Sequence, residues 1–350
     1  MRIHLGHHFY GAGNLGDDFM LAGFLAAMRS LAPAARFTGG VPFALEPLRR
    51  RFPTIEWLPC DDASRADAIA RCDVWLGLGG SPFQSAQSRW FIDHLAGEAV
   101  HCAQARKPMF YLGIGLQSPA ELERPEARRL CAQAAGIWTR DAESARLLRA
   151  VAPAAPIETG ADLAHIFFRD TPPPAAVPGR LALVPNFDFG PWPGQAECLA
   201  ALAAWPASDR VWLAQESRDL PGAELALFAS LSSDEKARWR LVSPEIPAAP
   251  LAEVLPRWPG AEWLVTARYH AALAGAWAGA KVVVLATNEK LRAAARDLQS
   301  PMLLPDAGAT AVAAALARAV SSAPPRALAT AAEAACAAFV QQAFGSAKSQ

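Results

Sequence analysis

Met1-Arg2-Ile3-His4-Leu5-Gly6-His7-His8-Phe9-Tyr10-Gly11-Ala12-Gly13-Asn14-Leu15-Gly16-Asp17-Asp18 opens the chain and sets its fold class. Residues 2–8 carry the apolar character of a first strand. Gly11, Gly13 and Gly16 break it, and residues 17–31 follow as a helical pattern. A strand, a glycine-rich turn and a helix form the opening of a βαβ unit. The pattern then repeats. Strands are expected over residues 35–38, 55–58, 73–77, 108–113, 137–139 and 157–159, and helices over 89–105, 125–134 and 141–151. Alternation at this spacing predicts parallel strands covered on both faces, a doubly wound sheet.

Thr171-Pro172-Pro173-Pro174-Ala175-Ala176-Val177-Pro178-Gly179 interrupts the alternation. Consecutive prolines continue neither a helix nor a central strand, so this stretch reads as a semi-rigid linker. The alternation then restarts, with strands expected over 180–185, 210–214, 239–242, 262–266 and 281–286 and helices over 195–204, 225–231 and 269–279. The expected organisation is an α/β protein of two Rossmann-like domains facing a cleft. The first spans residues 1–170, the linker 171–179, the second 180–327, and a closing helix and tail 328–350. Ligands of such sheets sit outside the carboxyl ends of the strands.

Composition narrows the function classes. The 350 residues are 52% hydrophobic, and 33 basic side chains balance 33 acidic ones. A formal charge of zero provides no broad field for a polyanion, which argues against nucleic acid as a partner. Cys60, Cys72, Cys102, Cys131, Cys198 and Cys336 form no CxxC pair, which argues against a zinc site or a disulfide scaffold. The first residues read as a strand and not as a secretory signal. No stretch reaches the roughly 18 apolar residues of a membrane span. The expected location is the cytoplasm, which leaves room for peripheral association with a membrane.

Several loops carry chemistry. Gly11, Gly13 and Gly16 spell G-x-G-x-x-G at a helix N-terminus, a place for an anion or a dinucleotide. Asp17 and Asp18 would repel a pyrophosphate, and a glycine turn with an aspartate cap is the alternative. Gly79, Gly80 and Ser81 follow one expected strand, and Gly113 and Gly115 follow another. Three glycine turns in one domain predict a glycine-lined floor. Arg140 lies between a strand and a helix, where an arginine clamps a carboxylate or phosphate, or else forms a surface ion pair. Asp141 beside it reads as a helix cap. In Thr266-Ala267-Arg268-Tyr269-His270, a guanidinium and an imidazole meet at a helix start, as binding of a small dianion requires, and a hydrogen-bonded core histidine is the alternative. Lys290 follows the next strand, where it reaches the same pocket or else is a solvated surface charge.

In this order, the landmarks resemble the polysaccharide pyruvyl transferase family. They are Y-G-x-x-N-x-G-D-D at residues 10–18 with Asn14 inside it, G-x-G-G-S at 77–81 and G-I-G at 113–115. R-D-x-x-S at 140–144, G-x-D-x-A at 160–164, R-Y-H-A-A-L-A at 268–274 and Lys290 complete the set. The match covers roughly residues 8–292. Three departures stand out: Ser81 shortens a glycine run, Ser85 replaces a frequent aspartate, and R-Y-H replaces R-L-H.

The resemblance implies a fold similar to GT-B glycosyltransferases. It also implies transfer of a pyruvyl group from phosphoenolpyruvate to a sugar, a glycan or a lipid-linked sugar, commonly as a cyclic ketal, in exopolysaccharide or cell-envelope synthesis. Arg140 and His270 correspond to the family's donor-pocket arginine and histidine. The expected site has His270 as proton carrier and Asp17 or Asp18 on the acceptor. Arg140, Arg268 and Lys290 would neutralise the donor. Gly11, Gly13, Asn14, Gly16, Gly79, Gly80, Ser81, Gly113 and Gly115 would line it. No redox cofactor or metal is called for. A nucleotide-sugar glycosyltransferase and a non-catalytic glycan-binding protein are the alternatives.

Overall fold

The computed structural model describes residues 1–6, 8–42, 45–84, 89–187, 192–218, 220–244, 249–321, 323–324 and 326–345. His7, Ser85 and the last five residues of the tail lie outside them. The chain forms two compact units. The first comprises Met1–Ala12, Asp17–Asp170 and Arg326–Gln350, the second Gly13–Gly16 and Thr171–Pro325.

The first unit holds a seven-stranded, wholly parallel sheet: β1 (Arg2–Leu5), β2 (Arg36–Val41), β3 (Ile55–Pro59), β4 (Val74–Leu78), β5 (Met109–Ile114), β6 (Ala134–Thr139) and β7 (Ile157–Thr159). Their order is β3-β2-β1-β4-β5-β6-β7. Ile3 pairs with Phe37 on one side and Val74 on the other, so the winding reverses between β1 and β4. β4 and β5 are buried along their whole length, as central parallel strands must be. One face packs Trp75, Tyr111 and Ile137 against Phe91, Ile92 and Leu95 of the Trp90–Gln104 helix. On the other face, Phe339 of the Arg326–Phe344 helix packs edge-on against Phe110 and Trp138.

The second unit repeats the plan with six parallel strands: β8 (Arg180–Val184), β9 (Asp209–Leu213), β10 (Arg240–Val242), β11 (Trp263–Thr266), β12 (Lys281–Leu285) and β13 (Met302–Leu303). Their order is β10-β9-β8-β11-β12-β13, and the reversal falls between β8 and β11. The Tyr269–Trp277 helix after β11 is buried at every residue. Its alanines and Gly275 let it lie close to the sheet, and a Cβ on Gly275 would run into Leu264.

The helices Leu45–Arg51 and Asp62–Arg71 of the first unit, and Glu289–Asp297 and Ala309–Arg318 of the second, lie outside the expected elements. The first is one or two turns long, too short for its apolar repeat to rise above the loops. The Glu289–Asp297 segment is charged along most of its length. Burial pushes the Cys60 and Cys72 thiols up to about 11 and those of Cys131, Cys198 and Cys336 to about 12, so these sulfurs stay protonated near neutrality. Among the described residues, no helix is long and apolar enough to cross a membrane.

Candidate active site

In each sheet the reversal of winding opens a gap at the carboxyl ends of the strands, and the sequence motifs fall there. In the first unit, β4 ends in Gly79 and Gly80, with φ of 69° and 70°. This left-handed pair turns the backbone so that the Gly79 amide donates to Leu112 O (2.8 Å) and Gly80 O accepts from Gly115 N (2.9 Å). No side chain fits there. A Cβ on Gly79 would stand 2.7 Å from Met20 Sδ, and one on Gly80 2.6 Å from His8 Nε2.

Arg140 closes this floor. Its backbone amide donates to Ile114 O (2.7 Å), which fixes the residue at the mouth of β5 and β6. Its side chain is buried, with Nη2 3.3 Å from Ser81 Oγ, Nη1 3.6 Å from Asp162 and Nε 4.0 Å from Asp141. The guanidinium lies on Gly115, where any Cβ would overlap it. Asp141 caps the Ala142–Val151 helix by accepting from Ser144 N (2.7 Å) and Ser144 Oγ (2.8 Å). Ser144 Oγ in turn accepts from Leu116 N (2.9 Å). The structure thus brings together Gly79, Gly80, Ser81, Gly113, Gly115 and Arg140. It adds two residues outside the expected set. Asp162 is fully buried, and His8 stacks on Tyr10 with ring centroids 4.4 Å apart. Asp162 sat inside a quoted motif and His8 inside the first loop. Neither position has a local pattern that marks it as functional.

The two aspartates of the first helix part company. Asp18 is fully buried, accepts from Gly11 N (2.7 Å) and pairs with Arg51 Nη1 at 2.5 Å. Asp17, one position before it, is half-buried. The same loop seats Tyr10, whose hydroxyl donates to Leu78 O (2.6 Å); burial, then Asp17 and Asp18, push that phenol well above its ordinary range.

In the second unit, β11 ends at Thr266, whose Oγ1 accepts from Arg268 N (2.9 Å) and starts the Tyr269–Trp277 helix. Arg268 extends to a buried carboxylate, donating from Nε to Glu224 Oε1 (2.6 Å) and from Nη2 to Glu224 Oε2 (3.0 Å), with Glu216 3.9 Å away. Burial raises the Glu224 carboxyl above its usual value and Arg268 opposes the rise. Glu216 also holds Arg218 through two bonds of 2.7 and 2.9 Å.

His270, in the first turn of the helix, lies against Gly16. A Cβ on that glycine would stand 2.8 Å from the imidazole Cγ and closer still to Nδ1. The Gly13–Gly16 segment is tied down by an antiparallel bridge from Asn14 to Glu216 and by Ser217 N donating to Gly13 O (2.9 Å). Asn14 Oδ1 accepts from Gly16 N (3.1 Å). Gly13, Asn14, Gly16, Arg268 and His270 therefore form one cluster. Gly11 belongs to the first unit, beside Asp18. Lys290 is half-buried in the first turn of the Glu289–Asp297 helix, one strand over from Arg268. Glu216 and Glu224, neither of them singled out by the sequence, govern where the Arg268 guanidinium rests.

The profile of the polysaccharide pyruvyl transferase family matches residues 14–289, most of the chain. The chain belongs to this family. Membership makes it a transferase that acts on polysaccharide. None of the curated proteins matches the sequence. Among solved structures, HepE of Anabaena in complex with UDP-glucose is similar, with 11% identity, a TM-score of 0.62 and full coverage of both chains. Sucrose-phosphate synthase from Thermosynechococcus elongatus is 13% identical with a TM-score of 0.56, covering 99% of this chain and 98% of its own. UDP-N-acetylglucosamine 2-epimerase from Rickettsia bellii is 10% identical with a TM-score of 0.62, covering 99% of each. At such identities the likeness is one of fold. This family member has a GT-B-like architecture of two parallel α/β sheets.

Proposed function

We propose that the protein transfers the pyruvyl group of phosphoenolpyruvate to hydroxyls of a sugar or glycan, closing a ketal. The observation that carries this reading is the Arg140 floor. A buried guanidinium lies on a glycine at the carboxyl ends of β5 and β6, with Ser81, Asp162 and Asp141 within 3.3–4.0 Å. Arg268 is different, since it is matched to Glu224 by two shorter bonds. A carboxylate or phosphate arriving at Arg140 meets a permanently charged, planar fork of donors that suits bidentate binding.

In this reading Arg140 and Lys290 neutralise the donor, while Arg268, fixed by Glu224, positions the helix start that presents His270. His270 delivers a proton to the methylene carbon, using the C2–C3 π pair, and C2 becomes electrophilic. An acceptor hydroxyl adds to C2 and gives up its proton, for which half-buried Asp17 is the base; Asp18 is committed to Arg51. Phosphate departs with its C–O bonding pair, and a second hydroxyl adds to C2 and returns its proton to His270 to complete the ketal.

The test is calorimetric titration with phosphoenolpyruvate, UDP-glucose and GDP-mannose, followed by phosphate release across a panel of glycans. Binding of a nucleotide sugar without phosphoenolpyruvate would replace this reading by glycosyl transfer. His270→Gln keeps a hydrogen-bonding group of similar size but shuttles no proton. It should lower turnover by about 10²–10⁴-fold at saturating donor while leaving donor affinity nearly unchanged. Wild-type turnover would remove His270 from the mechanism.

A further inference from the structure

A second opening lies in the first unit, at the carboxyl ends of β2 and β3. It has a volume of about 530 Å³, inside the roughly 300–1,000 Å³ range of small-molecule sites. Val41 and Pro59, the last residues of the two strands, line it together with Pro42, Cys60, Trp90 and His94. We propose that this cavity binds one pyranose ring of the glycan acceptor, with Trp90 and His94 as its aromatic wall. The proposal rests on the family's action on polysaccharide and adds the acceptor subsite.

The chemistry of the wall selects the ligand. Trp90 and His94 pack ring to ring with centroids 4.1 Å apart, one helical turn apart on the Trp90–Gln104 helix. Phe9 supports the indole at 5.6 Å. A pyranose offers an apolar C–H face, which suits such a wall and the aliphatic Val41, Pro42 and Pro59. It also offers a rim of hydroxyls, which need hydrogen-bonding groups that carry no full charge. His94 supplies one. Its Nδ1 lies 2.9 Å from Trp90 O, and because a carbonyl only accepts, Nδ1 carries the hydrogen and Nε2 is the acceptor of a neutral ring. Burial lowers the His94 pKa, which favours that neutral form. Among the described residues lining the cavity, none is a lysine or an arginine, and the charges that act on its His94 and Cys60 are of both signs, Arg65 with Asp93 on the first and Arg65 with Glu98 and Asp61 on the second. The position also fits, because loops at the carboxyl ends of a doubly wound sheet face its ligands.

Saturation-transfer NMR with the methyl glycosides of glucose, galactose, mannose and N-acetylglucosamine tests the subsite without any donor. At least one glycoside should bind the wild-type protein, and Trp90→Leu should weaken it by about tenfold or more. Pro42→Trp fills the cavity from an exposed rim position and should do the same, so the outcome does not depend on Trp90→Leu folding well. Circular dichroism melting confirms the fold of each variant. Undiminished binding in both folded variants, or no glycoside binding to the wild type, overturns the proposal. Phosphoenolpyruvate is titrated in parallel. If it fails to bind while the glycoside pattern holds, the donor reading falls and the subsite stands.

Discussion

Gly115→Ala tests the placement of Arg140 most directly. The added methyl would stand 2.8 Å from the guanidinium Cζ and 2.9 Å from Nη2. It would stand closer still to Nε, and since ordinary contacts of this kind need about 3.5 Å or more, the guanidinium must retreat by about 1 Å. It is buried between Ser81, Asp162 and Asp141, so that retreat moves it off its present partners. Misplacing a binding group by about 1 Å costs on the order of 10²-fold, or about 2.7 kcal/mol. Gly115 is not among the glycines in the left-handed region, so the substitution strains a side chain and not the backbone. Phosphoenolpyruvate affinity should therefore fall by about 10–100-fold, read by calorimetry, while the melting curve keeps its shape and loses only a few degrees. An unchanged affinity in a folded Gly115→Ala protein would refute the reasoning, because the donor would then be insensitive to where Arg140 sits.

Gly97→Ala is the matching control. Gly97 lies inside the Trp90–Gln104 helix, and its Cβ would meet only Arg65 Nη1 at an ordinary 3.8 Å, so it should stabilise the protein by about 0.5–1 kcal/mol in urea denaturation. Asp18→Asn leaves the buried Arg51 guanidinium without its carboxylate and should cost about 3–5 kcal/mol, whereas Asp17→Asn should leave stability within about 0.5 kcal/mol and depress turnover. Acid should weaken the first unit through His4, whose folded pKa is lowered to about 4 by burial and by Arg65. Above pH about 6.5 both states are neutral and nothing is lost. Between 6.5 and 4 the unfolded chain binds a proton that the folded one does not, so stability falls by up to about 3 kcal/mol. His4→Gln should flatten that slope in melts run from pH 7 to 4.5.

Some of this architecture is written locally. Strand periodicity, glycine turns at strand ends and the prolines at residues 172–174 are readable because each acts on its own few residues. The helix Gln195–Ala204 begins and ends where its pattern does. The landmarks of the first loop, of Arg140 and of His270 are legible for the same reason, since each falls at a strand-to-helix junction. Charge pairing is not local. Asp17 and Asp18 are neighbours with identical side chains, and only the packing of the Leu45–Arg51 helix, which carries Arg51 to Asp18, separates a buried ion pair from a half-buried carboxylate. Arg268 finds Glu224 44 positions away, and His8 meets Gly80 across 72 residues. Such partners are chosen by the order of strands in a sheet, β3-β2-β1-β4 in the first unit, and no local pattern records that order. The sequence by itself determined the α/β class, the restart of the pattern and the family. The tertiary structure alone decided which charges are already matched and which residues meet at the glycine floor, because burial and Coulomb energy depend on distance in space, not along the chain.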